Sequence, residues 1–293
     1  MTDFPRTTKA LREALAARGV APAKRHGQCF LTDVQAVDAI VRDAEIAPGD
    51  AVVEVGTGTG LLTHALAEAG ASVETFDLDA RIQGLARGLR DWPARVLFHA
   101  EDALAGKHAL SPALLAALAR ARAAGAGRAK VVSNLPYNAA TPVLLGLLVL
   151  RDPPDTITAM VQLEVGEKLT AAPGDDAYGA PSVLCGLQAT GRILRRFPPQ
   201  VFWPRPTVTS ALVRLVPVRP GRLAPGEDRP FAEFVLALFS RRRKVLSTAL
   251  RAARPDLDAA GAASACLAAG VDARARPEDV APAGFLRLGR GSP

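Results

Sequence analysis

The apolar positions of this chain change their period along its length. Short apolar runs at 51–55, 72–78, 95–99, 130–135 and 156–162 read as buried strands. Between and after them, stretches at 61–69, 80–89, 109–123, 139–149 and 164–171 have helical spacing. Two amphipathic helices precede this block, over 5–20 and over 33–44, the second with Val34, Val37, Ile40 and Val41 on one face. Two further strands follow at 192–197 and 210–216, the last with the alternation of an edge hairpin. Residues 218–228, rich in Pro and Gly, read as a linker. Beyond it only helical spacing is left: Phe231, Phe234, Val235, Leu238, Leu246 and Leu250, then a helix at 256–269, then one starting near Pro282 with Phe285, Leu286 and Leu288.

Strands alternating with helices predict a parallel sheet covered on both faces. The expected fold class is therefore α/β, a Rossmann-like sheet with helices on both faces, plus a small C-terminal all-helical domain. The expected division is 1–217, with an N-terminal extension over 1–23, and 218–293.

Charge sharpens that division. The 293 residues carry a net charge of +7, and 49% are hydrophobic, enough for a sizeable core. Residues 218–293 hold 13 Lys and Arg against 8 Asp and Glu, a surplus of five, which leaves only +2 for the first 217. A basic tail domain points to a polyanionic partner. Three scattered cysteines, Cys29, Cys185 and Cys266, argue against a disulfide framework and for a reducing, cytoplasmic compartment. Cys185 and Cys266 are expected to pack as small hydrophobes. No Cys/His cluster has zinc-ligand spacing, so no metal is expected. The N-terminus lacks a long apolar stretch, and the apolar run at 141–150 is too short to cross a membrane.

The first strand of the block runs into Glu54-Val55-Gly56-Thr57-Gly58-Thr59-Gly60 and then a helix. Glycines permit positive φ and close approach of a ligand, and a helix N-terminus adds oriented N–H groups. The spacing is G-x-G-x-G rather than the dinucleotide G-x-G-x-x-G, which makes an NAD site the weaker alternative. Asp77 lies 21 residues after Gly56, at the end of the next strand, where a carboxylate can accept both hydroxyls of a ribose. Asp102 follows the third strand and could accept from an adenine amino group. Together these read as an S-adenosylmethionine site.

The fourth strand ends at Asn134-Leu135-Pro136-Tyr137. Methyl transfer to an exocyclic amine needs a nitrogen lone pair aimed at the methyl. Conjugation into the ring withdraws that lone pair. Accepting the two amino hydrogens on the Asn134 side-chain oxygen and a nearby carbonyl, that of Leu135, favours a pyramidal nitrogen. Pro136 turns the chain out of the sheet and fixes the carbonyl's direction. Tyr137 can stack on the base, worth roughly 1–3 kcal/mol by analogy with base–aromatic stacking. The proton becomes acidic once the nitrogen is methylated, so positioning matters more than a strong base.

With these residues in place, the chain resembles the ribosomal RNA adenine N6-dimethyltransferases, which modify two adjacent adenosines near the 3′ end of small-subunit rRNA. The resemblance spans 24–288. Gly27-Gln28-Cys29-Phe30-Leu31 is similar to the family's G-Q-N-F-L, with Cys29 in place of Asn. Glu54 to Gly58 fits E-[IV]-G-x-G, Asp77-Leu78-Asp79 is similar to E-x-D, and Asn134 to Tyr137 is the family's N-L-P-Y unchanged. Gln162 to Val165 is similar to Q-K-E-V with Leu163 for Lys, and Tyr178-Gly179 with Ser182-Val183 to Y-G-x-L-S-V, with Ala180-Pro181 in between. Phe202 to Ala211 is similar to F-x-P-x-P-x-V-x-S-A, with Thr207 at a position often Lys. Phe239 to Leu246 is similar to F-x-x-R-R-K-x-L, and Arg276-Pro277-Glu278 to R-x-E.

The resemblance implies a cofactor-binding domain followed by a small helical one, with Phe202 as the second aromatic of a clamp around the base. It also implies a cofactor site bordered by Gln28, Cys29, Leu31, Glu54, Gly56, Gly58, Asp77, Leu78, Asp102, Ala103 and Asn134. Lys24, Arg25 and the run Arg241-Arg242-Arg243-Lys244 become candidate contacts to RNA phosphates. The expected activity is S-adenosylmethionine-dependent N6,N6-dimethylation of adenosines near the 3′ end of small-subunit rRNA, performed by a monomer on the immature small subunit. The rival enzyme is the macrolide-resistance type, which methylates one adenosine of large-subunit rRNA; Leu135 and the R-x-E element favour the small subunit. The rival of another class is a non-catalytic assembly factor, against which Asn134 and Tyr137 stand.

Overall fold

A computed structural model describes residues 7–17, 19, 29–107, 109–124, 127–223 and 226–291. In chain order the elements are α1 (Thr8–Ala17), β1 (Phe30–Leu31), α2 (Val34–Asp43), β2 (Ala51–Val55), α3 (Leu61–Glu68), β3 (Ser72–Phe76), α4 (Ala80–Arg87) and β4 (Val96–His99). There follow α5 (Pro112–Ala123), β5 (Ala129–Asn134), α6 (Ala140–Leu148), β6 (Thr156–Gln162), α7 (Leu163–Thr170), α8 (Ala180–Gln188), β7 (Ala189–Phe197), β8 (Phe202–Trp203) and β9 (Ser210–Pro217). The last are α9 (Asp228–Phe239), α10 (Leu246–Ala253), α11 (Ala259–Ala268) and α12 (Pro282–Arg290).

The strands that read as continuous apolar runs pair in parallel, as burial on both faces requires. The seven-stranded sheet has the order β4-β3-β2-β5-β6-β9-β7. β2 pairs in parallel with both β3 and β5, so the chain leaves β2 first in one direction and later in the other. That reversal makes the carboxyl ends of β2 and β5 the topological switch point, where open α/β sheets form a crevice. Side-chain caps start the helices: Asp33 accepts from Ala36 N–H before α2, Asp79 from Arg81 N–H before α4, and Ser111 from Leu114 N–H before α5.

One expectation is corrected. β9 and β7 are neighbours at the edge of the sheet, as an edge hairpin requires, yet β9, whose alternation suggested one exposed face, lies between β6 and β7 and is buried at every position but one. It pairs antiparallel with β6, Ser210 opposite Gln162. The edge is β7, whose polar residues face solvent. The 192–197 and 210–216 patterns name two strands without fixing which of them is flanked on both sides.

At the amino end of the sheet an ion pair is buried. Lys130 Nζ lies 2.7 Å from Asp50 Oδ2 and donates to the Glu45 carbonyl at 2.5 Å. Asp50 also accepts from the Ala47 and Arg128 N–H groups. Burial alone would raise the Asp50 pKa, but the hydrogen bonds from Lys130, Ala47 and Arg128 together hold it below the ordinary value.

The chain divides into two compact units. The first comprises Met1–Leu147, Asp152–Gly166 and Arg192–Val216, and the second Leu148–Arg151, Glu167–Gly191 and Pro217–Pro293. The helical unit is thus discontinuous in sequence, whereas the linker alone predicts a continuous one. The reason is α8: Ala180, Val183 and Leu187 share a buried cluster with Phe231, Val235, Leu238, Leu250, Cys266 and Phe285. Within this unit the Tyr178 hydroxyl donates to the Val280 carbonyl at 2.8 Å, and Gln188 Oε1 accepts from Arg222 and Leu223 N–H. No helix among the described residues is long and apolar enough to cross a membrane.

Candidate active site

Four of the sequence-predicted groups sit at the carboxyl ends of neighbouring parallel strands. The glycine loop follows β2, Asp77 follows β3, Asp102 follows β4, and Asn134 closes β5. Gly56, at φ 91°, is where the loop meets β5: a Cβ there would lie 2.8 Å from the Asn134 carbonyl oxygen. Gly58, at φ 52°, lies under Phe30, whose ring would be 3.2 Å from an added Cβ. These two positions need glycine for conformation and for space.

The loop is tied down by acids. Asp77 Oδ2 accepts from Gly58 N–H and Oδ1 from Asp79 N–H, both at 2.9 Å. Leu78 beside it is 57% exposed, an apolar face left open next to a carboxylate. Asp102 is exposed and accepts from Leu104 N–H, while Ala103 is buried.

Glu54 is a different case. It is fully buried, so it does not border the cofactor cleft in this structure; it supports the loop from beneath. Its Oε2 accepts from Thr63 at 2.5 Å and Thr75 at 2.7 Å, and Thr75 in turn meets the Thr57 hydroxyl of the loop at 2.7 Å. Burial pushes its carboxyl up to about 8, against the two threonine hydrogen bonds. The threonine partners are legible only once the register is known, which sets Glu54 opposite Thr75.

The tip of β5 carries the groups expected to act. Leu135 N–H donates to the Met160 carbonyl, and Pro136 then turns the chain away. Asn134 Nδ2 donates to the Cys29 carbonyl at 3.2 Å. A carbonyl can only accept, so this contact orients the amide and leaves Oδ1 on the other side. It uses the main chain of residue 29, so a cysteine serves as well as another residue there. Among the described residues, neither Asn134 Oδ1 nor the Leu135 carbonyl receives a donor.

Tyr137 is half-buried and its hydroxyl lies 3.2 Å from Ser210 Oγ. Burial raises the phenol's pKa, the Ser210 hydrogen bond opposes this, and Cys29 adds to the rise. Phe202, expected as the second aromatic of the clamp, is buried. It is 4% exposed, paired through β8 with Leu31 of β1, and belongs to the buried cluster that includes Phe30 and Val201. Its pairing to β1 holds the ring in the core. The residue missed by sequence reasoning is Ser210; its only signal was its place in the motif that begins at Phe202.

The cleft bounded by Phe30, Leu31, Gly56, Thr57, Gly58, Thr59, Leu61, Leu62 and Asn134 is narrow, about 20 Å³. A larger groove of about 280 Å³ lies between α2 and α3, lined by Val34, Val37, Val41 and Ala65 with His64 and Glu68. Apart from Leu61, no lining residue is shared between the two, and the larger groove holds none of the predicted site residues.

Arg241, Arg242, Arg243 and Lys244 are exposed in the turns after α9 rather than on the helix. Arg242 Nε donates to Glu278 Oε2 at 2.8 Å, so the R-x-E element anchors the basic run. Arg241, Arg243 and Lys244 have no acidic partner among the described residues. Gln28, Lys24 and Arg25 lie outside the described residues.

The family model for ribosomal RNA adenine dimethylase matches residues 22–286. The ribosomal RNA small subunit methyltransferase A of Phenylobacterium zucineum is 40% identical over 283 residues, 96% of this chain and 92% of that protein. The protein of the same name from Leifsonia xyli is 40% identical over 282 residues, 95% of each chain. Among solved structures, a dimethyladenosine transferase from Plasmodium falciparum shares the fold with a TM-score of 0.66 at 21% identity, covering 87% of this chain and 94% of that one. The 23S rRNA methyltransferase ErmE does so at 0.61 and 23%, covering 89% and 98%. The chain belongs to the ribosomal RNA adenine dimethylase family.

Proposed function

We propose that this protein dimethylates N6 of adenosines near the 3′ end of small-subunit rRNA, using S-adenosylmethionine, on the immature subunit in the cytoplasm. The observation that carries the reading is the pair of open acceptors, Asn134 Oδ1 and the Leu135 carbonyl, at the tip of β5.

The residues present fit the cofactor. Gly56 and Gly58 form a cradle that a Cβ would fill, Asp77 stands at the end of β3 beside that loop, and exposed Leu78 can cover an adenine face. The cleft in its present form has room for about one water, so a nucleoside requires the Phe30–Leu31 cover to shift. When bound, S-adenosylmethionine supplies an electrophilic methyl group on a sulfonium.

The protein's part is to present the amine. Asn134 Oδ1 and the Leu135 carbonyl accept one N6 hydrogen each, which turns the lone pair out of conjugation. Tyr137 stacks on the base, and the target adenosine enters unstacked from its neighbours. Arg241, Arg243 and Lys244 hold RNA phosphates, with Lys24 and Arg25 as further contacts.

To test this, the protein is incubated with labelled cofactor and either immature small subunits or protein-free large-subunit rRNA, and the label is mapped by nuclease digestion and mass spectrometry. Label in N6,N6-dimethyladenosine of the small-subunit RNA is expected. Label confined to large-subunit rRNA, or cofactor binding without transfer, overturns the reading.

A further inference from the structure

We propose that Ser210 is a positioning residue for Tyr137: its buried hydroxyl holds the phenol hydroxyl and so sets where the ring stands against the substrate base. This inference rests on the functional reading above. Ser210 is fully buried at the start of β9, and its place is fixed from two sides. It pairs with Gln162 of β6, and the preceding Thr209 carbonyl accepts from Leu163 N–H at 3.0 Å. Its hydroxyl lies 3.2 Å from that of Tyr137, and no other partner of that hydroxyl is present among the described residues.

The ring needs such a hold. Tyr137 follows a proline in a turn, and its first side-chain torsion has more than one staggered well, so backbone position alone does not fix where the ring axis points. A bond at the far end of the ring restrains it where leverage is greatest. The chemistry two residues earlier depends on an in-line approach, for which a small tilt of the stacked base is costly. The strand carrying Ser210 pairs with β6, so the tether transmits the rigidity of the sheet interior to the tip of β5.

Two readouts test this. The first is single-turnover transfer at saturating rRNA for Ser210→Ala, Ser210→Thr, Tyr137→Phe and the double variant Ser210→Ala/Tyr137→Phe. Ser210→Ala is expected to slow transfer about tenfold with cofactor affinity unchanged. Ser210→Thr restores most of the rate, and the double variant is no slower than the slower single one, because both remove the same bond. The second readout does not involve activity. The chain has two tyrosines, Tyr137 and Tyr178, so ring-carbon labelling gives two signals, which Tyr137→Phe assigns. Ser210→Ala is expected to move the Tyr137 signal and raise its titration while the Tyr178 signal stays. Full transfer by Ser210→Ala, multiplicative losses in the double variant, or an unmoved Tyr137 signal would overturn the proposal. If the wild-type protein transfers nothing to small-subunit rRNA, the functional reading fails, and the Tyr137 signal still decides whether the tether exists.

Discussion

The two ends of the same parallel sheet treat polar groups in opposite ways. At the amino end, Lys130, Asp50 and the Glu45 carbonyl satisfy one another out of water. At the carboxyl end of β5, Asn134 spends its amide nitrogen on Cys29, and among the described residues neither its oxygen nor the Leu135 carbonyl beside it receives a donor. Polar groups shielded from water without partners cost free energy, which ligand donors at Asn134 Oδ1 and the Leu135 carbonyl would offset. The contrast assigns stability to one end and chemistry to the other, and each assignment can be broken separately.

The largest effect is expected at the join between loop and tip. Gly56→Ala drives a Cβ to 2.8 Å from the Asn134 carbonyl at a φ of 91°, so it displaces both the cofactor cradle and β5. Calorimetry with S-adenosylmethionine should show binding lost and the transfer assay no product. Retained binding would mean the cradle lies elsewhere.

Next comes the amino end. Lys130→Met leaves the Asp50 carboxylate buried without its cation, at a cost of about 3–5 kcal/mol. Urea unfolding should show that loss, and adding Asp50→Asn should recover part of it. A transfer rate per folded molecule that fell along with stability would blur the distinction between the two ends.

Glu54 belongs to the carboxyl end in position and to the other in behaviour, since it is buried and supports the loop. Unfolded, its carboxyl ionises near 4.5; folded, it keeps its proton to about 8. Between those values the folded state binds the extra proton, so its contribution is full below about 4.5, falls by about 1.4 kcal/mol per pH unit, and is lost above about 8. Glu54→Gln should flatten that part of the stability profile. Parallel profiles for the two proteins would contradict the buried neutral carboxyl.

The smallest effects concern the basic turn of the helical unit. Arg241→Ala and Arg243→Ala should each reduce the salt slope of rRNA binding by about 1, with little change in sequence preference. Arg242→Ala should do less, because Glu278 already neutralises it. Equal effects from all three would show that the ion pair opens in the complex.

How much of this was legible in the sequence follows from what each feature depends on. The parallel block was legible because strands buried on both faces read as apolar runs, and the N-L-P-Y stretch because a proline after such a run has few other uses. The order of β9 and β7 was not, since pairing is a long-range property that neither strand's own pattern encodes. The burial of Glu54 was hidden for the same reason: Thr63 and Thr75 become its partners only through the register of β2 with β3 and the start of α3. Phe202 reads as a second clamp aromatic by motif, and its pairing with Leu31 places it in the core. The α8 segment joins the helical unit through Ala180, Val183 and Leu187, which no local signal sets apart from the sheet helices.

The most direct test of the open acceptors is Asn134→Ala, with cofactor affinity by calorimetry and single-turnover transfer to small-subunit rRNA measured on the same preparation. The account predicts a transfer rate lower by about 10²–10³-fold, the scale for losing one positioned polar contact, with cofactor affinity changed only a few-fold. Transfer at the wild-type rate would contradict it.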